Sequence, residues 1–101
     1  MKFADLRAKC RVQRNEVWLV YLIECRDGTY YCGITNNLKR RINEHNTGVG
    51  AKYTRGRYPV KLLGAIELPT RGKALSVEAA VKKQQKAKKL EFLKSKGIIV
   101  K

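Results

Sequence analysis

The chain has 101 residues, enough for one small domain built around a single hydrophobic core. Its 23 lysine and arginine residues outnumber 8 aspartate and glutamate residues, so the formal net charge is +15. This excess favours a polyanionic partner, and nucleic acid fits better than a membrane. No apolar run approaches the roughly 20 residues of a membrane-spanning helix, and the first residues lack the apolar core of a signal peptide.

Cysteine usage predicts a reducing compartment, which makes the cytoplasm the expected location. Cys10, Cys25 and Cys32 are odd in number, and no two of them have the spacing of zinc ligands. We expect Cys25 and Cys32 to be small buried hydrophobic residues. The single histidine excludes a histidine-rich metal site.

The strand pattern predicts a small antiparallel sheet. Residues 17–23 are consecutively apolar and favour a buried strand. Asp27-Gly28 predicts a hairpin turn into a second strand over residues 29–34, and residues 60–68 predict a third strand. The apolar residues 98–100 are expected to cover an edge of this sheet.

The length of the hairpin loop decides which side chains share a face. A two-residue loop would place Tyr21 and Tyr31 on opposite faces of the hairpin. A three-residue loop, with Gly28 in the left-handed region, places Tyr21, Tyr31 and Gly33 on one face. We favour the second geometry because Gly28 suits the bulge; ordinary strand tyrosines are the alternative.

Three helices are predicted, over residues 37–46, 73–85 and 86–96. The fold class is therefore α+β, with a three-stranded antiparallel sheet flanked by about three helices. We assign residues 17–96 to this domain and 97–101 to a tail. Residues 1–16 carry five basic side chains, and they are predicted to form either a basic arm or a short packed helix.

The first helix carries candidate phosphate ligands. Arg41 and His45 lie four residues apart, beside a core stripe formed by Leu38 and Ile42. An arginine beside a core stripe often forms a salt bridge. If the helix lies over the sheet face that carries Tyr21 and Tyr31, the guanidinium of Arg41 suits a phosphate ester instead. Arg40 points further round the helix, and we interpret it as a phosphate contact.

A glycine-punctuated basic loop follows, over residues 48–59. Its mixture of cations and aromatic rings is typical of nucleic-acid contacts, and the alternative is a plain basic surface loop. The candidate contacts in this loop are Lys52, Tyr53, Arg55 and Arg57.

Glu78 is the candidate metal ligand. It falls between Leu75 and Val81 in the predicted apolar stripe of the second helix, where a carboxylate is costly unless it is paired or metal-bound. The stripe is formed by Leu75, Val81 and Gln85, with Ala74 and Ala79. One carboxylate with water ligands suits Mg²⁺, and a salt bridge to Arg41 is the alternative.

Two tripeptides about ten residues apart, Leu19-Val20-Tyr21 and Tyr31-Cys32-Gly33, resemble the motifs of the GIY-YIG nuclease family. The first keeps its tyrosine with Leu19 in place of glycine, and the second keeps both its tyrosine and its glycine. Arg41 lies eight residues past Gly33, where the family has its essential arginine. Residues 50–62 further resemble small single-domain bacterial members.

The resemblance implies a metal-dependent endonuclease that hydrolyses DNA phosphodiester bonds, with DNA repair or recombination as its setting. It implies catalytic roles for Tyr21, Tyr31, Arg41 and His45, close backbone approach at Gly33, and one Mg²⁺ or Mn²⁺ ion on Glu78. Leu90 stands near the place where the family often has an asparagine. No organic cofactor is implied, and the expected cutting is structure-directed or weakly selective.

Two rival functions stay open: a nucleic-acid-binding module without catalysis, on DNA or RNA, and a ribosome-associated structural protein. Both fit the charge, whereas only the nuclease uses the tyrosines, Arg41 and Glu78 together. The sequence predicts no oligomeric state.

Overall fold

A computed structural model of the protein describes residues 17–97, 99 and 100. The predicted N-terminal arm or helix, residues 1–16, lies outside the described residues. The α+β class is confirmed, and the elements in chain order are β1 (Trp18–Glu24), β2 (Tyr30–Thr35), α1 (Leu38–Asn46), a 3-10 helix (Lys52–Thr54), β3 (Lys61–Leu68), α2 (Arg71–Lys82), α3 (Lys86–Lys94) and β4 (Ile99–Val100).

The sheet is antiparallel, with the strand order β2–β1–β3–β4. β1 is central, and its residues from Val20 to Ile23 are fully buried, because both faces of the sheet are covered. The three predicted strands are confirmed. The fourth is short: Ile99 and Val100 pair with β3, at the sheet edge that the C-terminal residues were expected to cover.

The hairpin between β1 and β2 has the favoured three-residue loop. Tyr21 lies opposite Gly33, and Ile23 lies opposite Tyr31, so the two tyrosines share a face as predicted. Gly28 adopts a φ of 85°, and the backbone N–H of residue 25 donates to the carbonyl of residue 29 at 2.7 Å. The side chain of Asp27 accepts hydrogen bonds from Thr29 and so closes the turn.

The two faces of the sheet carry different helices. On one face, Tyr21 and Ile23 pack against Leu38 and Ile42 of α1. On the other face, the core joins α2 and α3 to the sheet through Val20, Leu22, Cys32, Ile66, Ala74, Val81 and Leu93. The two motif tyrosines therefore face α1, whereas Glu78 belongs to a helix on the opposite side.

The helices begin at polar caps. Asn37 caps α1 by accepting from the backbone of residue 40, and Thr70 caps α2 in the same way, so α2 begins two residues earlier than predicted. The predicted stripe of α2 is confirmed at Ala74 and Val81, which are fully buried because this edge of the helix packs on the sheet. It is wrong at Leu75, which is 38% exposed, and at Ala79 and Gln85, which are exposed as well. None of the described helices is long and apolar enough to cross a membrane.

Cys25 and Cys32 are buried free thiols, which confirms their predicted role as small core residues. Burial raises the pKa of Cys32 to about 12, with a further contribution from the negative charge of Glu78. Cys32 is therefore a protonated, hydrophobic side chain at neutral pH.

The conformation of the hairpin loop predicts that Gly28→Ala lowers the free energy of unfolding by about 1–2 kcal/mol, because alanine is strained at positive φ. Urea denaturation measures this change. Gly72→Ala is the matched control, since Gly72 lies in α2 and a Cβ atom there would meet only an ordinary contact with Thr70 Oγ1 at 4.0 Å. This control is expected to gain up to about 1 kcal/mol. Equal effects at the two positions would contradict the assigned loop geometry.

Candidate active site

A buried hydrogen bond joins the centre of the sheet to α1. The Tyr21 Oη atom lies 2.8 Å from His45 Nε2, and both side chains are fully buried. Arg41, one helical turn before His45, directs its Nε–H at Tyr21 Oη over 3.4 Å. The structure therefore brings this edge of α1 over the tyrosine face of the sheet.

Tyr31 completes an aromatic cluster around this hydrogen bond. Its ring centroid lies 6.4 Å from that of Tyr21 and 5.5 Å from that of His45. Gly33 adjoins the cluster, because a Cβ atom at this position would lie only 2.6 Å from Tyr21 Oη. The close approach that Gly33 permits is thus made by the Tyr21 side chain.

The basic loop packs against His45 and hydrogen-bonds to it, and its other side faces solvent. Thr54 Oγ1 lies 2.7 Å from His45 Nδ1 and donates to the Ala51 carbonyl at 2.9 Å. A Cβ atom at Gly50 would collide with the His45 ring, so the loop backbone lies directly on the histidine. Sequence reasoning missed Thr54, because a lone hydroxyl in a loop has no spacing pattern that indicates its partner.

Arg41 is paired with an acidic residue that sequence reasoning did not select. Its Nη1 atom lies 2.8 Å from Glu44 Oε1, and Arg40 Nε lies 3.7 Å from Glu44 Oε2. The hydrogen bond from Arg41 lowers the pKa of Glu44. The Arg41 side chain stays 29% exposed, so a phosphate oxygen can reach it from solvent.

Glu78 forms no hydrogen bond or salt bridge with this cluster. Its side chain is 17% exposed, and its Oε2 atom lies 3.4 Å from Lys82 Nζ. Glu78 therefore forms a salt bridge within α2, and not the salt bridge to Arg41 that was the alternative to metal binding. Lys82 Nζ in turn lies 6.0 Å from the centroid of the Tyr31 ring, at the edge of the sheet. Glu78 is therefore connected to the tyrosine face through Lys82.

The donor set around Glu78 limits the kind of metal site. Among residues 17–97, 99 and 100, no group of three or more histidine, cysteine, aspartate or glutamate side chains is placed to hold a metal ion. A cage made only of such side chains is thus absent from the described part of the chain. A single carboxylate still fits Mg²⁺, which keeps several water ligands and binds substrate phosphate oxygens.

The basic residues proposed as nucleic-acid contacts fall into two groups. Arg40, Lys52 and Arg55 are exposed. Arg57 is half-buried: its Nε atom lies 2.9 Å from Asp27 Oδ2, and its Cζ lies 4.4 Å from the centroid of the Tyr53 ring. Tyr53 is 40% exposed and stacks on Tyr31 with 5.8 Å between centroids. Arg57 and Tyr53 thus attach the loop to the hairpin.

The protonation states follow from burial and from Arg41. Burial raises the pKa of Tyr21 to about 12, against the opposing effect of the Arg41 hydrogen bond. Burial, together with the charge of Arg41, lowers the pKa of His45 from 6.5 to about 4. At neutral pH Tyr21 therefore carries its proton and His45 is uncharged, and the tautomer of the imidazole sets which of the two donates.

Comparisons with known proteins identify the class to which this fold and site belong. Residues 17–91 match the family model of the GIY-YIG catalytic domain. The chain therefore belongs to the GIY-YIG family, whose members act on nucleic acid and generally use a divalent metal.

Its relatives include a UPF0213 protein of Nitratidesulfovibrio vulgaris, which is 52% identical over 82% of this chain and 76% of the relative. A UPF0213 protein of Streptococcus pneumoniae is 49% identical over 73% of this chain and 75% of that protein. The solution NMR structure of the protein EF2693 from E. faecalis has a TM-score of 0.56 at 41% identity, covering 78% of this chain and 84% of that one.

The buried imidazole predicts a titration that NMR can follow without ambiguity, because His45 is the single histidine. Its folded-state pKa of about 4 lies below the unfolded value of 6.5, so the unfolded chain binds the proton first. Stability is therefore lost as pH falls from 6.5 to about 4, by about 3 kcal/mol in total. The same imidazole in concentrated urea should titrate near 6.5, and a folded-state midpoint near that value would contradict the buried, neutral assignment.

Proposed function

We propose that this protein is an endonuclease that hydrolyses phosphodiester bonds of DNA with the help of one divalent cation, Mg²⁺ or Mn²⁺. The observation that carries the proposal is the buried hydrogen bond between Tyr21 and His45, together with the partly exposed guanidinium of Arg41 that donates to Tyr21. A net charge of +15 attracts a polyanion to this protein, and family membership supports the reaction class.

Arg41 binds a non-bridging oxygen of the scissile phosphate. A planar guanidinium suits this oxygen, and it stabilises the charge that develops as the new P–O bond forms. Glu44 holds Arg41 Nη1 before substrate arrives, so the phosphate competes with this carboxylate for the same guanidinium. Tyr31, at the open side of the cluster, donates a hydrogen bond to the phosphate or to the attacking water.

Tyr21 orients and deprotonates the attacking water, and His45 acts with it. A phenol whose pKa is about 12 is a weak base at neutral pH, so this role requires the positive charge of Arg41 and an acceptor for the phenol proton. Because Tyr21 is fully buried, water reaches its hydroxyl when Arg41 shifts outward toward the phosphate.

Glu78 would hold the cation through one carboxylate. A bound ion would supply charge neutralisation at the scissile phosphate and stabilisation of the leaving oxygen. Lys82 is the present partner of Glu78, and it must release the carboxylate for this role. Its ammonium group, 52% exposed at the same edge of the sheet, is then available to the nucleic-acid backbone.

Arg40, Lys52 and Arg55 contact the sugar–phosphate backbone, with Arg57 and Tyr53 as the inner wall of the same surface. Backbone contacts position a nucleic acid without reading its sequence, so cutting is structure-directed or weakly selective. DNA repair or recombination is the setting we propose, with RNA as a second substrate to be tested.

A nucleic-acid-binding module without catalysis is the second candidate, and two observations favour it: Tyr21 has no exposed surface, and Glu78 is paired with Lys82. A panel of duplex, flap and single-stranded DNA and RNA, incubated with Mg²⁺, Mn²⁺ or EDTA, separates the candidates. Metal-dependent cleavage supports the nuclease. Tight binding with no cleavage of any member supports the module.

Replacing Arg41 is predicted to abolish most of the cleavage. Arg41→Ala should lower kcat by about 10²–10³-fold, because it removes the positioned donor at the developing charge. Arg40→Ala is the matched control on the preceding residue; its loss should stay below about tenfold and shrink at high salt, where an exposed phosphate contact is screened. Equal losses in the two variants would contradict the assigned role of Arg41.

Glu78→Gln is predicted to remove metal-stimulated cleavage while binding to the same DNA in EDTA is retained. The substitution keeps the size of the side chain and removes the charge that a hard cation needs. Glu91→Gln, on an exposed residue of α3, is the control and should cleave like the parent protein. If Glu78→Gln keeps its full metal response, the cation is held elsewhere.

A further inference from the structure

The proton of the Thr54 hydroxyl has a defined acceptor. Thr54 Oγ1 donates to the Ala51 carbonyl at 2.9 Å, and a threonine hydroxyl has only one proton to give. Its oxygen is therefore left as the acceptor for the ring nitrogen at 2.7 Å, His45 Nδ1. With the hydroxyl proton directed at the carbonyl, which can only accept, the contact is satisfied when the imidazole proton is on Nδ1.

The other end of the network requires the same arrangement. Tyr21 Oη already receives the Nε–H of Arg41 at 3.4 Å, and the phenol proton points at His45 Nε2 at 2.8 Å. If His45 carried its proton on Nε2 instead, Tyr21 Oη would face two donors. Its own proton would then have no acceptor among the hydrogen bonds of the described residues. Only the Nδ1–H tautomer gives every one of these buried protons an acceptor.

We propose that Thr54 is a positioning residue that fixes His45 in the Nδ1–H tautomer and so keeps Nε2 ready to accept the proton of Tyr21. The transfer of the Tyr21 proton to His45 during cleavage rests on the proposed function. As the O–H bond of the attacking water breaks, its proton goes to Tyr21 Oη while the phenol proton moves to His45 Nε2. The water oxygen bonds to phosphorus, and the leaving oxygen departs with its electron pair. The imidazolium then returns the proton to solvent.

The fold holds the Thr54 hydroxyl in a fixed position. Thr54 is fully buried at the end of the 3-10 helix. The loop that carries it is tied to the hairpin by Arg26, whose Nη2 atom donates to the Gly56 carbonyl at 3.0 Å, and by the ion pair of Arg57 with Asp27 at 2.9 Å. A serine keeps this hydroxyl, whereas a valine keeps the shape and loses the acceptor.

The tautomer can be measured directly by long-range ¹H–¹⁵N NMR correlation, because the single imidazole gives one set of ring signals. The parent protein should show a protonated Nδ1 and an unprotonated Nε2 at pH 7, and Thr54→Ser should show the same. Thr54→Val should lose this preference. Thr47→Val is the matched control, since it removes a hydroxyl at the end of α1 whose hydrogen bonds, within the described residues, go to the backbone of residues 43 and 44. It should keep the parent pattern.

Kinetics tests the consequence on the best substrate of the cleavage panel. Thr54→Val should lower kcat by about tenfold to hundredfold with little change in KM, and Thr54→Ser should restore it. An Nε2–H tautomer in the parent protein, or an unchanged tautomer in a folded Thr54→Val, would overturn the proposal. If Thr54→Val does not fold, the spectra of the parent and of Thr54→Ser decide. If the parent cleaves nothing while its Nδ1–H tautomer is observed, the nuclease proposal fails and the assignment of Thr54 stands.

Discussion

The hydrogen bond between Tyr21 and His45 is the interaction on which the rest of the site depends. It joins the central strand to the last turn of α1 at a point where both side chains are fully buried. A buried polar pair is costly unless its remaining donors and acceptors are satisfied. Arg41 satisfies one end and Thr54 the other, so the Arg41 guanidinium and a loop hydroxyl are held in place by the same bond.

Local chemistry explains why much of this arrangement was predictable from the sequence. Gly28 is the residue that tolerates positive φ in the hairpin loop, and this requirement fixes the strand register. The register places Tyr21 and Tyr31 on one face, and the four-residue spacing of Arg41 and His45 places both on one edge of α1. These inferences depend only on residues close in sequence or paired across a single turn.

The remainder depends on contacts between distant segments. Thr54 meets His45 only because the loop folds back over α1, and no periodicity indicates that path. The position of Glu78 was inferred from an apolar stripe through Ala74, Leu75 and Val81, of which Leu75 is exposed and the other two are buried. Its pairing with Lys82 rather than Arg41 follows from α2 lying on the other face of the sheet. Side-chain pairing between distant segments can be inferred only when the topology is known.

The measurement that tests the central claim most directly is a double-mutant cycle on cleavage rate between Tyr21→Phe and Arg41→Ala. The two side chains share one hydrogen-bonded unit, so each single change should cost about as much as both together, within about tenfold. Losses that multiply in the double mutant would contradict the account, because they would show that Tyr21 and Arg41 act on the phosphodiester independently.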